Sequence, residues 1–152
     1  MILLTEGLRA QLRDNARRHH DAMQLGRPEP DPAPVVKFFN PVGAAAWLFS
    51  ELEADGDTLF GLCDLGFGCP ELGSASLSEV VAVDLPFGLK IERDLCFSAS
   101  HPLAIYAGAA RSLGQITEDS AALQAAAARL AAHRLAAGRN LIPSPADEAR
   151  DG

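Results

Sequence analysis

Two sets of charged side chains stand at spacings that could do chemistry. Glu51, Glu53, Asp55 and Asp57 alternate. With a period of two, they point to one side for as long as a strand persists. Carboxylates in such a row can form a solvated edge, collect a divalent cation, or present a negative ridge to a basic partner. The ligand positions of an EF-hand loop, with its closing Glu, are not present. Arg9, Arg13 and Arg17 step by four, which puts them along one helical face. That face reads either as solvated or as an anion-binding strip.

The remaining candidates for chemistry fail on spacing. His19, His20, His101 and His133 form neither H-x3-H nor H-E-x-x-H, so no metal ligand is assigned. Gly61-x4-Gly66 is followed by Phe67 where a phosphate loop needs Lys. Gly66-x-Gly68 has Glu71 at the third glycine of a dinucleotide fingerprint. These glycines are expected to supply positive φ in a bend between strands. Gly73-Ser74-Ala75-Ser76-Leu77 lacks the closing glycine of a nucleophile elbow. Nothing brings Cys63 or Cys69 to His101. Cys63, Cys69 and Cys96 are odd in number and lack framework spacing, which predicts small, partly buried thiols in a reducing compartment. No catalytic residue and no cofactor is assigned.

The elements that must position these groups follow from local patterns. Thr5 caps a helix whose face is Leu8, Leu12, Ala16, His19 and Met23, stopped by Gly26 and Pro28. A proline-rich connector, Glu29 to Pro34, is extended. Val35 to Phe39 predicts a strand, and Ala44 to Leu52 a second one with Ala46, Leu48, Ser50 and Leu52 on one side and Trp47 and Phe49 on the other. Asp55-Gly56-Asp57 turns into a third strand, Thr58 to Leu65, and this hairpin is the strongest pairing signal in the chain. A short strand from Leu72 to Leu77 leads into a capping box at Ser76 and Glu79. Leu89 to Phe97 is expected at a sheet edge, with Ile91, Arg93 and Leu95 on one face. Pro102 to Leu113 predicts a helix ended by Gly114, and Thr117 or Asp119 caps another that runs to about Ala137. Ten of the seventeen residues from Ala121 to Ala137 are Ala, which favours helix and offers little apolar surface.

Charge is concentrated in the middle. The net charge is -7 over 152 residues. Residues 1–27 hold five Arg against three acids, residues 28–100 three basic groups against twelve acids, and residues 101–152 five of each. The acidic balance opposes general nucleic-acid binding. The chain start lacks the basic and apolar regions of a signal peptide, and no apolar run is long enough for a bilayer. A cytoplasmic location without membrane contact is the expectation.

From Val36 to Phe97 longer motifs appear: Lys37-Phe38-Phe39-Asn40-Pro41, Ala45-x-Trp47-Leu48, Glu53-x-Asp55-Gly56-Asp57-x-Leu59-Phe60-Gly61, Asp64-Leu65-Gly66-Phe67-Gly68-x-Pro70-Glu71-Leu72-Gly73, Ser76-Leu77-Ser78-Glu79 and Gly88-Leu89-x-Ile91-Glu92-Arg93-Asp94-Leu95-x-Phe97. This stretch resembles the bacterial family known as domain of unknown function 2958, and the first helix fits its start. The resemblance covers about two-thirds of the chain, and the Ala-rich tail departs from it. It implies an accessory role on plasmids and other mobile DNA and transfers no activity. Within such motifs, Trp47 and Phe60 suit a core and Glu92 and Arg93 an ion pair.

The expected architecture is α+β: an antiparallel sheet of four to five strands with an N-terminal helix and C-terminal helices packed on it. Residues 1–113 form one domain, 114–142 an Ala-rich helical extension and 143–152 a disordered tail. The expected function is non-enzymatic: binding a host or mobile-element protein, at its sharpest a nucleic-acid-binding defence effector, through the acidic ridge. Two alternatives stay open, a metal-dependent hydrolase or nuclease-like enzyme using Glu53, Asp55 and Asp57, and weak DNA binding by the Arg strip. Self-association is left open as well.

Overall fold

A computed structural model of the chain describes residues 1–140. The element order is α1 (Glu6–Gln24), β1 (Val36–Phe39), β2 (Ala46–Leu52), β3 (Thr58–Asp64), β4 (Glu71–Ser76), α2 (Leu77–Ala82), a 3-10 turn (Pro86–Gly88), β5 (Glu92–Arg93), α3 (Leu103–Leu113) and α4 (Ser120–Asn140). The strands form one antiparallel sheet in the order β4-β3-β2-β1-β5, so the fold is α+β as the pattern required. The tail from 143 to 152, and the last two positions of the 114–142 extension, lie outside the described residues.

Both faces of the sheet are covered. On one, α1 seats Leu12 among Val36, Phe38, Trp47, Phe49, Leu52 and Leu59. On the other, α3 and α4 bring Tyr106, Ala110 and Leu123 onto Leu48 and Leu62. A strand covered on two sides loses its polar alternation, and β2 is buried at every position but the first. Local signals set most element ends. Thr5 Oγ1 accepts from Leu8 N at 3.2 Å and starts α1. Asp119 Oδ2 accepts from Ala122 N at 2.9 Å and starts α4, while Gly114, at φ 77°, ends α3 in the left-handed conformation glycine favours. Gly66 and Gly68 adopt φ of 88° and 83° in the bend between β3 and β4.

One irregularity reorganises the site. Phe49 pairs with Gly61, but Glu51 pairs with Phe60, so Ser50 is an extra residue in β2. A bulge of this kind inverts the facing of everything beyond it. Leu52 therefore joins Trp47 and Phe49 on the α1 face and does not continue the side of Leu48, as strict alternation predicted. Across from the bulge only glycine fits: a Cβ on Gly61 would lie 2.0 Å from the Leu48 carbonyl oxygen.

Other expectations are corrected at the edge. β5 has two residues in place of a longer strand, since the chain turns where Cys96 N donates to Asp94 Oδ1 at 2.9 Å. Leu95 leaves the face of buried Ile91 and is 71% exposed. Arg93 does not pair with Glu92; its guanidinium donates to the carbonyls of Ile2 and Leu3, at 3.1 and 2.6 Å. Cys69 and Cys96 are exposed, and only Cys63 is half-buried, where burial raises its thiol pKa.

Candidate functional site

The predicted acidic ridge and the predicted Arg strip meet. Helix α1 lies along β2 and the turn that follows it, and its side chains reach the strand's free carbonyl groups. Arg9 Nη1 donates to Gly56 O at 3.1 Å, Arg13 Nη1 to Leu52 O at 2.8 Å and Asn15 Nδ2 to Ser50 O at 2.9 Å. Each of these links joins elements distant in the chain and gives a donor to a backbone carbonyl beyond Phe49, where the pairing of β2 with β1 ends. Arg17 points elsewhere and pairs with Asp14 at 3.3 Å, as Arg18 does at 3.0 Å. Two members of the Arg strip therefore act as struts, and the third sits in a helical ion pair.

The four carboxylates do not share one side. Beyond the bulge Glu51 turns inward and is 5% exposed. Its Oε2 lies 3.3 Å from His19 Nδ1, and His19 Nε2 is 3.1 Å from Glu29 Oε1 on the proline-rich connector. Both ring nitrogens thus face carboxylates, an arrangement that uses two donors only in the imidazolium form. Burial raises the Glu51 pKa above its usual value, and His19 partly offsets this. Glu53 Oε2 meets His20 Nε2 at 2.8 Å nearer the surface.

Asp55 and Asp57 stay in the turn. Asp55 accepts from Thr58 Oγ1 at 2.6 Å and from the amides of Thr58 and Asp57, both at 2.9 Å. Those donors hold its carboxyl at about 2. Asp57 accepts from Ser76 Oγ at 2.6 Å and from Ser78 N at 2.8 Å, which lowers its pKa as well. It therefore caps α2 from the start of the neighbouring strand β3, alongside Ser76, whose Oγ accepts from Glu79 N at 3.3 Å. These donors favour the ionised form of both aspartates; Asp55 is exposed and Asp57 half-buried.

Behind Glu51 a cleft of about 270 Å³ opens between α1, the connector and the first turn of α3. Ser50 lines it, and its Oγ is buried with no hydrogen-bond partner. Among the described residues, no three His, Cys, Asp or Glu side chains converge as a metal ion would need.

Sequence spacing did not reveal Asn15, His19, His20 and Ser50 as members of this cluster. One signal was present: His19 falls on the apolar face of α1, and a half-buried imidazole requires a polar partner. Ser50 carried none, because its role exists only through the bulge.

No curated protein and no solved structure matches the chain significantly. No helix among the described residues is long and apolar enough to cross a membrane. Residues 3–117 match the family described as a protein of unknown function (DUF2958), and the chain belongs to that family.

Proposed function

We propose that this protein catalyses no reaction and acts by gripping a basic protein partner at the tip of the β2–β3 hairpin. The observation that supports this reading is the state of Asp55 and Asp57. The donors of its own turn keep Asp55 ionised, Ser76 and Ser78 do the same for Asp57, and both carboxylates keep access to solvent. Fixed charges of this kind steer association and need little reordering on binding. Glu53 adds a third carboxylate beside them, half-shielded by His20. Glu51 contributes from within, by holding the helix that braces the hairpin. The mobile-element setting is an extension of the family resemblance: an accessory protein that modulates a host or element protein in the cytoplasm, with a nucleic-acid-binding defence effector as the sharpest form of partner.

Crosslinked capture from the native host tests the reading. Asp55→Asn and Asp57→Asn keep an acceptor oxygen for the turn and remove the charge. Asp84→Asn removes an exposed charge that pairs with Lys90 elsewhere on the surface. Wild type and Asp84→Asn should retain one basic partner that is released as salt rises; the double Asn variant should lose it. A partner held equally by the double variant, or no partner for any form, overturns the proposal.

A further inference from the structure

Two polar residues of β2, Ser50 and Glu51, line the cleft behind α1, and each has hydrogen-bonding capacity that the described residues do not use. Ser50 Oγ is fully buried, yet it has no partner. Glu51 receives only His19 among the described residues, through Oε2, which leaves Oε1 without a protein donor. A buried hydroxyl without a partner costs free energy that folding alone does not return. The charge around these atoms is negative. Glu29, Asp31 and Glu51 line the cleft against His19 and Arg134. One Asp31 oxygen is engaged by Ala104 N at the start of α3, at 3.1 Å. The rest of the wall is apolar, from Phe60, Leu72 and Leu103.

We propose that this cleft binds a primary ammonium group on a short apolar stem, with Glu51 as its counter-charge and Ser50 Oγ as a second acceptor. An ammonium carries three donors and no acceptor, which matches two oxygens that lack donors. Its alkyl stem would lie along the apolar wall, as lysine stems do on protein surfaces. An anion would meet three carboxylates, and a hydrocarbon would leave Ser50 Oγ still unpartnered. The ammonium can come from a free small amine or from a lysine side chain of a partner. Cleft and hairpin tip remain separate for experiment, because a small amine can fill the cleft whether or not a partner grips the tip.

The test titrates the full chain with n-butylammonium chloride and, in a second arm, with Nα-acetyl-lysine N-methylamide, following amide chemical shifts. Tetramethylammonium, which has charge without N–H donors, and acetate are the controls at equal ionic strength. Saturable shifts should centre on residues 50–52, 60, 72 and 103–104 for the two amines only. Ser50→Ala should weaken binding by about tenfold, the size of one lost hydrogen bond to a charged group. Its Tm without ligand should equal or exceed that of wild type, since no hydrogen bond is lost. Glu51→Gln should weaken binding further. Tighter binding of the lysine derivative identifies a partner side chain as the occupant, and equal or weaker binding identifies a free amine. The proposal is overturned if neither amine saturates, if tetramethylammonium binds as well as n-butylammonium, or if Ser50→Ala binds as wild type does.

Discussion

At the scale of single residues, the carboxylates of one hairpin have opposite consequences for stability. Asp55 and Asp57 have folded pKa values below the ordinary 3.8, Asp55 at about 2. Their contribution is complete above the unfolded value and is lost as pH falls through the folded one. Urea midpoints should therefore fall between about pH 4 and pH 2, and Asp57→Ala should flatten part of that decline. The same variant should be less stable than Asp57→Asn at neutral pH, because Asn still offers an oxygen to Ser76 and Ser78. Glu51 works in the other direction. Its pKa is raised from 4.5 by burial, so stability is lost as pH rises through the raised value. Between about pH 4 and pH 7, the stability difference should shift in favour of Glu51→Gln, read from urea unfolding at each pH.

At the scale of elements, the β2 bulge and the residue opposite it form one device. Ser50 is inserted where Gly61 lets the strands approach, and the inserted residue carries Glu51 to the cleft side. Gly61→Ala places a methyl group against the Leu48 carbonyl, which neither strand can yield without breaking the pairing. A loss of roughly 3 kcal/mol or more is expected in urea denaturation. Gly114→Ala tests a different constraint, the left-handed end of α3, and should cost about 1 kcal/mol. The contrast separates a steric requirement from a conformational one: both are glycines, and only the first has backbone in the space a Cβ would take.

At the scale of the whole molecule, the family match ends at residue 117, whereas the core continues into α4. Leu123 is buried against the second face of the sheet, and Ala126 lies beside it. Lys37 on β1 reaches Glu118 at 2.6 Å just before this helix begins. The first half of α4 is thus part of the fold. Leu123→Ala should cost about 2–4 kcal/mol, comparable to Leu12→Ala on the opposite face. Leu135, 64% exposed on the second half, should tolerate alanine within about 0.5 kcal/mol. Thermal unfolding of the three variants measures this. Similar losses at Leu12 and Leu123, with none at Leu135, mean that the sheet is stabilised from both sides by one cooperative structure.

Much of the architecture could be read from neighbouring residues. Thr5, Ser76 and Asp119 start helices, Gly114 ends one, and Asp55-Gly56-Asp57 turns the central hairpin, because caps and turns are set by groups within a few positions of each other. The sequence by itself therefore determined the element order and the α+β class. Tertiary structure alone decided what the charged groups do. Strict alternation assigns Glu51 to the side of Phe49 and Leu52 to the side of Leu48, and one extra residue in β2 reverses both. No local preference marks that insertion, since its enabling feature is Gly61 on another strand. The arginines became struts and His19 a bridge only when α1 came to rest on β2, through contacts between residues more than thirty positions apart. Short-range chemistry writes the elements; packing between them assigns each charge its partner.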